Sequence, residues 1–128
     1  MPKGKPAHGT FCWNELMTRD TDGAAKFYTE LLGWKAGDSP MPEMQYTMWK
    51  NDGKDAGGMM AMPAEVPAEV PAHWLSYIAV DDVDALVGKV TALGGQILVP
   101  VKDIPHVGRF CVVQDPTGAA VGLITLNG

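Results

Sequence analysis

The chain has 128 residues, 46% of them hydrophobic and 20% charged, which is enough to close one core without disulfides or a structural metal. A net charge of −5, with no basic stripe and no basic helix, argues against nonspecific binding to nucleic acid or to an anionic membrane. No apolar run reaches the ~20 residues of a membrane helix, and Met1 to His8 is basic without an apolar stretch, so a cytoplasmic protein without a secretory leader is expected.

The first expected strand is Thr10 to Thr18. An acidic turn, Arg19-Asp20-Thr21-Asp22, leads into a helix from Gly23 to Leu32. Asp20 is a good N-cap, because its carboxylate accepts orphan N–H groups at the positive helix end. Ala24, Phe27, Tyr28, Leu31 and Leu32 recur at helical spacing and are read as a core stripe, and Gly33 suits the C-cap. Strands follow at Trp34 to Gly37, Gln45 to Lys50 and Gly58 to Met62, with Asn51-Asp52-Gly53-Lys54 as a hairpin turn.

A proline-rich stretch, residues 63–71, then divides the chain. Its prolines exclude a helix interior or a central strand, so it is read as an extended linker. Beyond it the order repeats. A strand from His73 to Val80 is followed by the acidic turn Asp81-Asp82-Val83-Asp84 and a helix from Ala85 to Leu93. Leu86, Val90 and Leu93 form its apolar stripe, and Gly94 follows it. Strands at Gln96 to Val101, Gly108 to Gln114 and Ala119 to Leu126 complete the chain, the last two joined by Asp115-Pro116-Thr117-Gly118.

The spacing from Asp20 to Gly33 equals that from Asp81 to Gly94. The repetition implies an α+β fold of two tandem βαβββ modules with a mixed, open sheet. The whole chain is one domain, with half-repeats at 8–62 and 72–126 on either side of the linker. Cys12 and Cys111 lie in apolar strands without a CxxC spacing and are read as buried thiols.

Several segments resemble the glyoxalase/bleomycin-resistance/extradiol-dioxygenase (vicinal oxygen chelate) superfamily. They are Asp20 with Ala25-Lys26-Phe27-Tyr28 and Leu31-Leu32-Gly33-Trp34, then Val80-Asp81-Asp82-Val83, Ala92-Leu93-Gly94-Gly95 and Asp115-Pro116-Thr117-Gly118. Phe11 to Leu16, Gly108-Arg109-Phe110 and Gln114 to Ala120 also look like a glyoxalase-like subgroup labelled "hydroxylase". The resemblance implies a curled sheet whose inside binds ligands and whose outside carries the helices. It implies little about activity, and leaves open whether the chain is an enzyme.

Metal-using members place His, Gln or Glu on the first and last strand of each half. Here the corresponding positions are Trp13, the strand Gly58 to Met62, Leu75 and Gly122, none of which supplies a usual ligand. No cofactor is therefore expected. The one remaining donor pair is Glu15 with His73, which would make a poor divalent-metal site.

With Trp13 and Leu75 marking the inward phase, strand alternation assigns Phe11, Trp13, Glu15 and Met17 to the cup. His73, Leu75, Tyr77, Ala120, Gly122 and Ile124 join them, with Met60, Met62 and Trp49 as further walls. Such a lining suits a small hydrophobic or aromatic molecule. Glu15 stands out, since a carboxylate on an apolar face needs a partner. It is read as a general base or ligand anchor, or as a salt bridge to Arg109 or across a homodimer interface. Arg109 is assigned to the surface and His106 to a loop. The leading expectation is a metal-free binding protein acting as a homodimer. The alternatives are a metal-assisted lyase, isomerase or dioxygenase-type enzyme using Glu15 and His73, and a structural module with a filled cup.

Overall fold

A computed structural model describes residues 5–38, 46–64 and 66–127. The expected strand start at Gln45 lies outside them. The chain order is β1 (Thr10–Thr18), α1 (Thr21–Leu32), β2 (Lys35–Asp38), β3 (Tyr46–Asn51), β4 (Lys54–Ala61), β5 (His73–Ala79), α2 (Val83–Ala92), β6 (Gln96–Ile104), β7 (Gly108–Gln114) and β8 (Ala120–Leu126). This is the expected α+β order of βαβββ twice.

The chain forms two compact units, Asn14–Trp74 and Met1–Trp13 with Leu75–Gly128. In the first, the strands lie in the order β2-β3-β4-β1, with β1 parallel to β4 and the other pairs antiparallel. In the second the order is β5-β8-β7-β6, with β5 parallel to β8 and the rest antiparallel.

Local chemistry sets the element ends. The Asp20 side chain accepts from the Gly23 N–H at 2.8 Å, and Gly33 closes α1 with φ 74°. The cap of α2 is Asp82, whose side chain accepts from the Ala85 N–H. Asp52 and Gly53 both take positive φ, 53° and 80°, as a two-residue type I′ hairpin turn between β3 and β4 requires. At the β7–β8 turn, Asp115 Oδ1 accepts from Thr117 N–H at 2.8 Å, Thr117 Oγ1 at 2.6 Å and Ala119 N–H at 3.1 Å. Those bonds hold its carboxyl below the usual value.

Two expectations need correction. The linker is not extended: Val66 N–H donates to Pro63 O and Val70 N–H to Pro67 O, and the second bond closes Pro67 to Val70 into a turn. The Arg19 guanidinium holds that turn, donating to Val70 O at 2.7 Å and Pro67 O at 3.0 Å. The apolar helix stripes are also wider than the surfaces they cover. Ala24, Ala25 and Tyr28 pack on Leu16, Trp49 and Met59, while Phe27, Leu31 and Leu32 face outward, as does Leu93 after α2. Strand β6 runs to Ile104, past Pro100, because an edge strand with register shifts tolerates a missing donor.

In the second unit the α2 side of the sheet holds Val80, Val83, Cys111 and Val113, with Leu86 and Val90 packed on them. Both cysteines are free, and burial pushes both thiols up, as expected of packed side chains. Arg109 on β7 ties this layer together. It grips Asp84 of α2 with two bonds of 3.0 and 2.9 Å and Asp103 of β6 with a third of 2.8 Å. Arg109 holds the Asp84 carboxyl below its ordinary 3.8. A depressed carboxylate stabilises the fold above its unfolded pKa and stops doing so as pH falls through the folded value. Arg109→Ala should therefore lower Tm at pH 7, and the gap to wild type should narrow below about pH 4. Melting curves from pH 7 to pH 3 check this, and a pH-independent gap would contradict it.

Candidate functional site

The candidate surface follows from register. In the first unit, neighbouring residues of β3, β4 and β1 line up in two rows across the sheet. One row is Met48, Gly58, Glu15, and the next is Tyr46, Met60, Met17. Aligned residues on neighbouring strands project to the same side, so these six share one face. The other face carries Leu16, Trp49 and Met59 under α1.

Glu15 is only 6% exposed on this methionine face. Gly58, between it and Met48, has no side chain, and the gap it leaves is occupied. A β-carbon at Gly58 would overlap the hydroxyl and the ring of Tyr46, which reaches over diagonally from the next row. The phenol tip thus sits in the row that contains the buried carboxylate.

The second unit repeats the grid with different chemistry. Its rows are Val112, Gly122, Tyr77 and Phe110, Ile124, Ala79. Again a glycine holds the centre, and again a tyrosine fills its place: a β-carbon at Gly122 would overlap the Tyr77 ring. Here the aligned neighbour covers the glycine with the side of its ring. Leu75, Tyr77, Val112 and Ile124 form a buried cluster, against which Cys12, Trp13 and Phe110 pack. Phe110 meets Tyr77 edge-on with centroids 6.2 Å apart.

The sequence-derived site residues therefore sort as follows. Glu15 and Met60 share the methionine face, with Met62, buried, just beyond the end of β4. Leu75, Tyr77, Gly122, Ile124 and Trp13 belong to the second cluster, where the space expected over Gly122 is taken by Tyr77. Trp49 does not share the face of Glu15. It is fully buried on the opposite side, among Tyr28 and Trp34, because Thr47 and Trp49 alternate with Tyr46 and Met48 along β3. Phe11 is 66% exposed. His73 is half-buried, with Nδ1 2.9 Å from Pro71 O, which sets Nδ1 as the donor and Nε2 as the acceptor. Arg109 serves Asp84 and Asp103 rather than Glu15, and His106 turns the chain between β6 and β7 with φ 68°.

Tyr46 was not singled out by sequence reasoning. Alternation along β3 offered a faint signal for it, since it shares a phase with Met48, but the diagonal reach over Gly58 needs the β3–β4 register.

A metal does not fit this donor set. Gly122, a last-strand ligand position, lacks a side chain and lies under Tyr77, and the strand from Gly58 to Met62 holds no His, Asp or Glu. Among the described residues, no three His, Cys, Asp or Glu side chains converge to hold an ion.

Comparison with known proteins places the fold in a family. The family description Glyoxalase/Bleomycin resistance protein/Dioxygenase superfamily matches residues 10–123. The chain belongs to this superfamily. Among curated superfamily relatives, "Putative glyoxylase CFP32" of Mycobacterium tuberculosis is 45% identical over 99% of the chain, which covers 50% of that protein. "Anthracycline biosynthesis protein DnrV" of Streptomyces peucetius is 33% identical over 89% of the chain and 46% of its own length. The chain thus spans about half the length of these two relatives. A "Glyoxylase-like domain-containing protein" of Didymella fabae is 32% identical over 94% of the chain and 97% of its own length. Among solved structures, methylmalonyl-CoA epimerase from Mycobacterium tuberculosis superposes with TM-score 0.63 at 12% identity. The match covers 98% of this chain and 95% of that one. At that identity the likeness is one of fold.

If Tyr77 owns the space over Gly122, a methyl group there is costly only while the ring is present. Gly122→Ala should lose about 1–3 kcal/mol in the wild type and under about 0.5 kcal/mol in a Tyr77→Ala background. Urea denaturation of the four proteins measures both costs, and equal costs would contradict the arrangement.

Proposed function

We propose that this superfamily member binds a small hydrophobic or aromatic molecule on its methionine face, without a metal, and that Glu15 anchors a cationic or hydroxyl group of that molecule. The observation that carries this reading is the row Met48, Gly58, Glu15, where a carboxylate 6% exposed stands among thioethers and a glycine. A carboxylate on a thioether face offers a charge-assisted hydrogen bond to a polar group of a ligand. Methionines adapt to ligand shape and contact aromatic rings favourably. The filled glycine at Gly122 and the lack of His, Asp or Glu from Gly58 to Met62 support metal-free binding. The name of the Streptomyces relative, an anthracycline biosynthesis protein, supports a flat aromatic ligand class.

A second copy of the chain is the protein partner this reading assigns, as a closed homodimer. The outward Phe27, Leu31, Leu32 and Trp74, which are 56%, 61%, 49% and 40% exposed, support a surface that association would cover. No helix among the described residues is long and apolar enough to cross a membrane. A cytoplasmic location remains part of the proposal.

Thermal shift with a panel of small aromatics, neutral and amine-bearing, tests the reading. Saturating ligand should raise Tm of the wild type by roughly 10 °C, since binding at ~100 Kd adds about 2.7 kcal/mol. Glu15→Gln should lose most of the shift for amines and keep it for neutral rings. If no member of the panel moves Tm, the binding role fails.

A further inference from the structure

The two glycine seats are filled in different ways. Tyr77 lies aligned with Gly122 across the β5–β8 pair, covers it with ring carbons and is 6% exposed. That is permanent packing. Tyr46 is not aligned with Gly58. It enters from the next row, places its hydroxyl deepest over the glycine and stays partly exposed. Filling the gap alone calls for no hydroxyl, and a hydroxyl over a glycine seeks a polar neighbour. The seat instead receives a hydroxyl on a ring, in the row that holds Glu15 and between Met48 and Met60. Its entrant belongs to the first residue of β3, and rotation of that one side chain would vacate it.

We infer that the seat over Gly58 is a subsite for the hydroxylated ring of a phenol-type ligand, and that Tyr46 occupies it as an internal stand-in until such a ligand displaces it. The inference rests on the proposed binding role of the methionine face and narrows its ligand class. The side chain that fills the seat shows what the seat accepts: a flat six-membered ring, hydroxyl end first. Glu15 favours a hydroxyl over a bare hydrocarbon, and the thioethers of Met48 and Met60 contact the ring. The absence of a β-carbon at Gly58 gives the ring its depth. Tyr46 acts as an intramolecular competitor, so the apparent affinity falls by the fraction of time the seat is open.

The probe is p-cresol, which is the tyrosine side chain cut free, with toluene as the ring lacking the hydroxyl. Binding to the wild type is followed by NMR of the tyrosine ring signals, and affinities of wild type, Tyr46→Ala and Gly58→Ala are compared. Saturating p-cresol should shift the Tyr46 ring signals and leave those of Tyr77 in place. Tyr46→Ala should bind p-cresol at least about tenfold more tightly than wild type, with toluene at least about tenfold weaker than p-cresol. Gly58→Ala should lose p-cresol binding. If that variant does not fold, the wild-type Tyr46 signals decide the matter alone. Tyr46 signals unmoved by p-cresol, or an affinity unchanged in Tyr46→Ala, would overturn the inference. In that case, Tm shifts with other aromatics would leave the broader binding role standing, and their absence would remove both.

Discussion

A glycine at the centre of a sheet face leaves a gap that something must fill, and the structure is organised around two such gaps. Gly58 and Gly122 occupy equivalent places in β4 and β8, each between an antiparallel neighbour and a parallel one. Protein interiors do not keep voids, because atoms lining a void lose their contacts. Each gap takes a tyrosine, and the source of the tyrosine decides what each half does. The aligned Tyr77 closes one half into core with Leu75, Val112 and Ile124. The diagonal Tyr46 leaves the other half with a polar tip next to Glu15's row and a methionine wall.

Caps and turns make these gaps possible by fixing register. A one-residue slip would send every side chain to the other face. The tight Asp52-Gly53 turn sets β3 against β4, so that Tyr46 and Met48 share the side of Glu15 while Trp49 goes under α1. The Asp20 and Asp82 caps start the two helices 62 residues apart, and the same offset relates Glu15 to Tyr77. One framework thus carries a carboxylate in one half and a phenol in the other.

Much of this was legible in the sequence. Strand β7 falls where apolar alternation and Gly108 put it, and the caps and both turns follow from Asp, Asn and Gly chemistry. The repeat revealed the fold because both halves carry the same punctuation. Three features were not legible, for physical reasons. The outward Phe27, Leu31 and Leu32 satisfy helical periodicity, but periodicity does not say how wide a surface the sheet offers. The linker turn from Pro67 to Val70 depends on Arg19, 48 and 51 residues away in sequence. Tyr46 reaches Gly58 across strands, and alternation along one strand carries no information about the neighbour's offset. In a packed face, the place of a missing side chain such as that of Gly122 goes to the nearest ring.

The proposed metal-free reading rests on two strands, β4 and β8, on which metal-using members of the family carry ligands and this chain carries glycines under tyrosines. The most direct test is metal content of protein purified without chelator, together with a titration of Zn(II), Ni(II), Mn(II) and Fe(II) followed by Tm. The account predicts far less than one equivalent of any metal per chain and no stabilisation by added ion. One equivalent retained per chain, and lost in Glu15→Gln or His73→Ala, would contradict it.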